Sequence, residues 1–284
     1  MTAPSQPRCV LITGLGLMGG SLAGALSAAG WQVLLHHHRP EVAKQAEQRG
    51  WGRAVPDFAA AGAADLAVVC TPVTVIPATA RALATATRAV ITDVGSTKGA
   101  ISRELADLGE RFIGSHPMCG SHLQGLAHAD AQLYRGRLAI VTAASDSPHA
   151  SAVEGLWRAV GSRVLRLSPE DHDRVVAQAS HLPHVLASLT ASLLSAEAAP
   201  VCAGGFRDTT RVAGASPELW AGILSSNAEA VLPLLARSRA RLAELEQLLS
   251  AGDNAGLLAW LKAGEAGRQL FTAAQAATPA TGCP

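Results

Sequence analysis

Apolar and polar positions follow two regimes along the chain. From Cys9 to Thr142, short apolar runs alternate with stretches of helical periodicity. The runs predict strands over 9–13, 31–36, 65–70, 89–94, 111–114 and 137–142. The intervening stretches predict helices over 21–29, 41–49, 77–84 and 99–108, with Gly30 and Gly50 closing the first two. Mainly apolar strands joined by helical crossovers are the pattern of a doubly wound parallel sheet. Beyond Leu167 the strand signal stops. Helical periodicity runs over 171–195, a long Ala/Leu/Glu/Arg-rich helix is predicted over 217–249, and one more over 254–275. The fold class expected is therefore α/β: a dinucleotide-binding Rossmann domain at residues 1–167, then an all-helical domain at 168–284, with a small, polar, disordered tail from Ala276.

Composition narrows the classes. Only 16% of residues are charged and the net charge is +1, which gives no case for nucleic acid or an anionic membrane as partner. Residues 1–8 lack the apolar core of a signal peptide, and no run is long and apolar enough to span a bilayer. The five cysteines are scattered and include no CxxC pair, which points to a reduced, cytoplasmic protein without structural metal.

Gly14-Leu15-Gly16-Leu17-Met18-Gly19 matches GxGxxG, directly after an apolar strand and at the opening of a helix. Gly14 permits the tight turn, Gly16 lets backbone approach a pyrophosphate, and Gly19 lets helix and strand pack closely. The helix start offers free N–H groups and partial positive charge to phosphates. An Asp or Glu at the end of the second strand would bind a ribose 2′-hydroxyl, but the tip here reads His36-His37-His38-Arg39. His37, His38 and Arg39 can donate to a 2′-phosphate, so NADP is preferred, with NAD the alternative. Thr71 and Pro72, after the 65–70 strand, complete the expected cofactor set. Adjacent histidines on extended chain point to opposite faces and make a poor metal chelate.

Four further segments carry a family resemblance: Thr92–Lys98 (TDVGSTK), Gly114–Gly120 (GSHPMCG), Ser180–His184 (SHLPH) and Gly204–Arg211 (GGFRDTTR). Together they resemble the prephenate/arogenate dehydrogenases of tyrosine biosynthesis, in the short form that joins a Rossmann domain to a helical dimerisation domain. The resemblance implies a homodimer acting on a small-molecule substrate. A ring hydroxyl is oxidised by hydride transfer to NAD(P)+, the ring carboxylate leaves as CO2, and the ring becomes aromatic. It implies that His116 holds and deprotonates the hydroxyl, a task suited to an imidazole of ordinary pKa near ~6.5. Ser96 matches the serine that contacts the catalytic histidine and the ring. Arg211 matches the arginine that grips a substrate carboxylate, with Arg207 a weaker candidate, and His181 is expected to line the substrate pocket. His184 is given no role. The GFRDTTR stretch and the short architecture lean towards arogenate over prephenate. One departure is His122, where some relatives carry an acidic gating residue. The β-hydroxyacid dehydrogenases and imine reductases share the two-domain plan, but their hydroxyacid members use a lysine on the interdomain helix. Lys44, Lys98 and Lys262 are the only lysines, and none lies between 99 and 261. A non-catalytic NAD(P) sensor would need the glycine loop without His116, Ser96 and Arg211.

Overall fold

The computed structural model describes residues 9–120, 123–143 and 147–277. Residues 1–8, His122 and most of the expected tail lie outside that range.

Five parallel strands form the first sheet: β1 (Cys9–Thr13), β2 (Gln32–His36), β3 (Arg53–Ala54), β4 (Leu66–Val69) and β5 (Val90–Asp93), in the order β3-β2-β1-β4-β5. β1 is central and wholly buried, with Val10 paired to Val33 on one side and to Leu66 on the other. Its alternating side chains enter two cores. Val10 and Ile12 join Leu22, Leu26 and Trp157, whereas Cys9 and Leu11 join Ile76, Leu83 and Ile101. The period-2 alternation of a strand thus meets helices on both faces. These helices are α1 (Leu17–Ala28), α2 (Pro40–Gln48), α3 (Ile76–Ala86) and α4 (Gly99–Glu104). Helix α1 begins four residues before the predicted start, so the last glycine of the motif lies within its first turn.

A second sheet holds β6 (Gly114–Pro117), β7 (Leu138–Thr142) and β8 (Arg163–Leu167). Sheet growth continues from β5 through Phe112, which bridges Ile91, and Ile113, whose N–H donates to the Ile91 carbonyl at 2.9 Å. β6 then pairs antiparallel with β7, a departure from an all-parallel sheet. The connection between them has only a short 3-10 turn, Leu126–His128, among its described residues. Parallel return requires a full crossover, and without one the strand comes back antiparallel. Helix α5 (Pro148–Ala159), capped by Ser147 Oγ, supplies a crossover and makes β7 and β8 parallel.

After β8 the described chain is helical: α6 (Pro169–Val176), α7 (Leu182–Ser192), α8 (Gly204–Thr210), α9 (Pro217–Ser226), α10 (Ala228–Ala251) and α11 (Asn254–Ala277). The helix expected over 171–195 is interrupted by a π-turn at Ala177–His181. Pro183 follows it, and proline has no N–H for the helical ladder, so the widened turn absorbs the missing bond. Helix α6 packs on α4 and β7, and residues up to Ala228 form one compact unit. Residues from Glu229 form a second, in which α11 folds back on α10: Trp260 Nε1 donates to the Arg241 carbonyl at 3.1 Å, and the Arg241 guanidinium lies over the Trp260 ring. Asp253 Oδ1 accepts from Gly256 N and caps α11. Leu232, Leu258, Leu261 and Leu270 of this unit are all more than half exposed. Among the described residues no single helix is long and apolar enough to cross a membrane.

Candidate active site

The glycine loop leaves β1 at the edge of a cleft of about 610 Å³. Gly14 has φ +90°, and a Cβ there would sit 2.7 Å from the Cys70 carbonyl oxygen. A Cβ on Gly19 would fall 2.0 Å from the Gly14 carbonyl oxygen, so α1 is pressed against its own turn. Gly16 is different: nothing lies within 4 Å of the position its Cβ would take, and its backbone faces the cleft. No side chain caps the start of α1, so its first N–H groups keep their capacity for an anion. Leu17 and Met18 line the cleft, whereas Leu15 is 1% exposed and belongs to the core. The three glycines therefore separate by experiment. Gly19→Ala is expected to destabilise the protein by at least about 1–3 kcal/mol through overpacking. Gly16→Ala is expected to leave the melting temperature unchanged while weakening dinucleotide binding, measured by calorimetric titration.

The tip of β2 adjoins the same loop, with Gly14 N donating to the His36 carbonyl at 3.1 Å. His36 is held by Thr13 Oγ1 at 2.8 Å and tilts against Phe58, which gives it a packing role. His37 Nδ1 accepts from Arg39 N at 3.0 Å, the His37 and His38 rings lie 4.2 Å apart, and no carboxylate occupies the strand tip. These three residues stand beside the cleft and do not line it. Thr71 and Pro72 do line it, and Thr71 Oγ1 is buried without a partner. An orphaned hydroxyl beside an open glycine loop suits a dinucleotide, since buried polar groups otherwise find partners. Among the described residues no group of three or more His, Cys, Asp or Glu is placed to hold a metal ion.

His116 projects from β6 into this cleft, opposite Ser96 on the β5–α4 loop. Both line it, yet the hydrogen bond of His116 goes elsewhere. Its Nδ1 meets His172 Nε2 at 2.9 Å, and His172 Nδ1 meets Asp173 Oδ1 at 2.8 Å. Burial, then the neighbouring charges of His172, Lys98 and His181, depress the His116 pKa well below the ordinary value. Burial would raise the Asp173 carboxyl. Bonds from His172 and from the backbone N–H groups of Lys98 and Gly99 outweigh it and hold Asp173 below the ordinary carboxylate range. Burial pushes the cleft thiol of Cys119 up to about 12, which keeps it an unreactive thiol.

The loop that carries Ser96 is fixed by a buried ion pair between Lys98 Nζ and Asp93 Oδ2. Lys98 also donates to the Ser115 carbonyl at 3.0 Å, and Asp93 Oδ2 accepts from Gly95 N at 2.8 Å. One salt bridge thus ties β5, the Ser96 loop and β6 together. Lys98 is fully buried and absent from the cleft lining, which makes it part of the frame. Removing one member of such a pair would strand a buried charge.

His181 is 1% exposed, accepts on Nδ1 from Asn227 Nδ2 at 3.1 Å and meets Trp220 edge-on. His184 stacks flat on Trp220 with ring centroids 3.5 Å apart, and its Nδ1 is buried without a partner. Burial lowers the His181 pKa to about 4. Its unfolded value near ~6.5 is higher, so the unfolded chain binds the proton first. This contribution to stability is complete above pH 6.5 and is lost as pH falls towards 4. The melting temperature is expected to drop across that window, and His181→Gln is expected to flatten the drop.

Arg211 is exposed at the start of a 3-10 turn, Arg211–Gly214, that packs on α7. It stands outside the cleft lining, four residues before Ala215, which lines it. Asp208 pairs with Arg207 at 3.2 Å, both highly exposed, and leaves Arg211 unclaimed by that carboxylate. His172, Asp173, Asn227 and Trp220 are absent from the sequence-based set. The only sequence signal for the first two was their place three and four residues after Pro169, in what reads as an ordinary capped helix start.

An open glycine loop, an uncapped helix and an imidazole in one cleft define a nicotinamide-dependent oxidoreductase. Residues 22–166 match the prephenate dehydrogenase nucleotide-binding domain and residues 168–263 the prephenate dehydrogenase dimerization domain. The cyclohexadienyl dehydrogenase of Zymomonas mobilis is 33% identical over 91% of this chain and 94% of that protein. The structure of Aquifex aeolicus prephenate dehydrogenase with hydroxyphenyl propionate and NAD+ superposes with a TM-score of 0.85 at 29% identity, covering 95% of this chain and 100% of that one. Synechocystis arogenate dehydrogenase gives 0.82 at 29% identity, over 93% and 99%. The chain belongs to the prephenate dehydrogenase family of NAD(P)-dependent oxidoreductases.

Proposed function

We propose that this protein is an arogenate dehydrogenase that forms tyrosine with NADP+ as hydride acceptor. The observation that carries the cofactor choice is the β2 tip, where His37, His38 and Arg39 stand in place of a carboxylate. An acidic residue would repel a 2′-phosphate, and these three can donate to it. Likeness to Synechocystis arogenate dehydrogenase supports the substrate choice. The alternative, prephenate with NAD+ or NADP+, draws on the likeness to the Aquifex enzyme solved with NAD+, which has the same identity and a slightly higher TM-score.

In this reading Gly14, Gly16, Leu17, Met18 and Gly19 seat the pyrophosphate at the α1 N-terminus, and Thr71 and Pro72 close the cofactor site. A bound nicotinamide would supply the hydride acceptor for the ring carbon bearing the hydroxyl. His116 takes the hydroxyl proton as the hydride departs and Ser96 steadies the same oxygen. The bond to the ring carboxylate then breaks, its electrons enter the ring, and CO2 leaves. The proton returns to what is now a phenolic oxygen, so the net loss from the substrate is one hydride and one CO2. Arg211 holds a substrate carboxylate, with Arg207 the weaker candidate, whereas His181, expected to line the pocket, and the stacked pair His184–Trp220 stand outside the cleft lining. Residues 1–167 form the dinucleotide domain and 168–284 pair two subunits through the exposed leucines of α10 and α11. Comparing kcat/KM for arogenate and prephenate, each with NADP+ and NAD+, tests the assignment. The highest value is expected for arogenate with NADP+, and a clear preference for prephenate with NAD+ would replace it with the alternative.

A further inference from the structure

We propose that His172 and Asp173 are positioning residues that lock His116 in its Nδ1–H tautomer, which leaves the lone pair of His116 on Nε2. The chain of hydrogen bonds starts at Asp173. Its Oδ1 accepts from Lys98 N at 2.7 Å and its Oδ2 from Gly99 N at 2.8 Å. Two backbone amides whose protons cannot move thus hold it as a carboxylate. A carboxylate only accepts, so the contact between Asp173 Oδ1 and His172 Nδ1 requires the proton on His172 Nδ1. His172 has no exposed surface, and burial keeps it neutral. A neutral imidazole with a proton on Nδ1 carries a lone pair on Nε2. That lone pair faces His116 Nδ1 at 2.9 Å, which must therefore be the donor. Asn227 fixes the same backbone by donating to the Asp173 carbonyl at 2.9 Å.

The chain runs in one direction, from helix α4 through Asp173 and His172 to His116. It opposes the intrinsic preference of a free imidazole for a proton on Nε2. Without it, His116 would present an N–H where the substrate hydroxyl needs an acceptor. An imidazole base left in the wrong tautomer elsewhere loses about 10⁴-fold in kcat. The rate consequence rests on the reading of His116 as the base, whereas the tautomer does not.

The test has two arms on the full-length protein. Two-dimensional ¹⁵N spectra of the histidine rings report which nitrogen of His116 carries the proton. We expect Nδ1–H in the wild type, Nε2–H in His172→Leu, and Nδ1–H in His172→Gln, whose Oε1 can accept the same bond. In turnover, His172→Leu is expected to lower kcat by about 100-fold, with KM for substrate and cofactor within about threefold of wild type. His172→Gln is expected to recover most of the loss. Nε2–H on wild-type His116, or equal losses in the Leu and Gln variants, would overturn the proposal. If His172→Leu fails to fold, the wild-type spectrum and the Gln variant still decide. A wild type with Nδ1–H that oxidises neither arogenate nor prephenate would refute the base assignment and leave the tautomer assignment standing.

Discussion

Replacing His116 with Asn lowers kcat by about 10²–10⁴-fold and changes KM little. The substitution is chosen for its geometry. An Asn amide nitrogen can occupy the place of Nδ1 and keep donating to His172 Nε2, so the buried chain behind it stays satisfied. What disappears is Nε2, the nitrogen that takes no part in the bond to His172 and is left to meet substrate in the cleft. Loss of a base acting only during proton transfer reduces the chemical step and spares ground-state binding. Steady-state kinetics with both substrates checks this, and an unchanged melting temperature shows that the cleft is intact. A variant with wild-type kcat would remove His116 from the chemistry.

The second large effect is on binding. Arg211→Ala is expected to raise the substrate KM by about 10- to 150-fold, the equivalent of a charge-assisted hydrogen bond worth about 1.5–3 kcal/mol. Dinucleotide affinity should not change. Arg211 is exposed, and the neighbouring carboxylate of Asp208 is engaged by Arg207, so the fold does not depend on the Arg211 guanidinium. Arg211→Lys keeps a charge and loses the planar fork, and an intermediate KM is expected. If alanine leaves KM unchanged for both substrates, carboxylate binding lies elsewhere, and the Nδ1 of His184 is the next group to examine.

Sequence legibility followed how local each constraint is. The turn at Gly14 and the contact at Gly19 are set within a few residues, so the motif announces them. β1 and β4 are buried on both faces and read as plain apolar runs. β8 was hidden because Arg163 and Arg166 interrupt an edge strand, and Arg166 is spent on a bond to Glu154 at 2.8 Å. The π-turn before Pro183 conserves helical periodicity on either side and is invisible to it. Asp173 was least legible of all. It looks like a first-turn acid behind the Ser168 cap of α6, and its bonds reach back 74 and 75 residues to the start of α4. His172 meets His116 across 56 residues for the same reason. Pairings of that kind come from the docking of α6 onto α4, which no local pattern encodes. The family resemblance supplied His116 and Ser96, and the structure supplied what stands behind them.

On the proposed function, hydride removal and loss of CO2 are coupled one for one in each turnover at His116. This coupling is tested by following reduced cofactor and released CO2 together during turnover of arogenate with NADP+. The account predicts a ratio of one throughout, with both signals falling in step in the His116→Asn variant. Tight NADP+ binding with no reduction of it by arogenate or prephenate, or reduction without CO2, would contradict it.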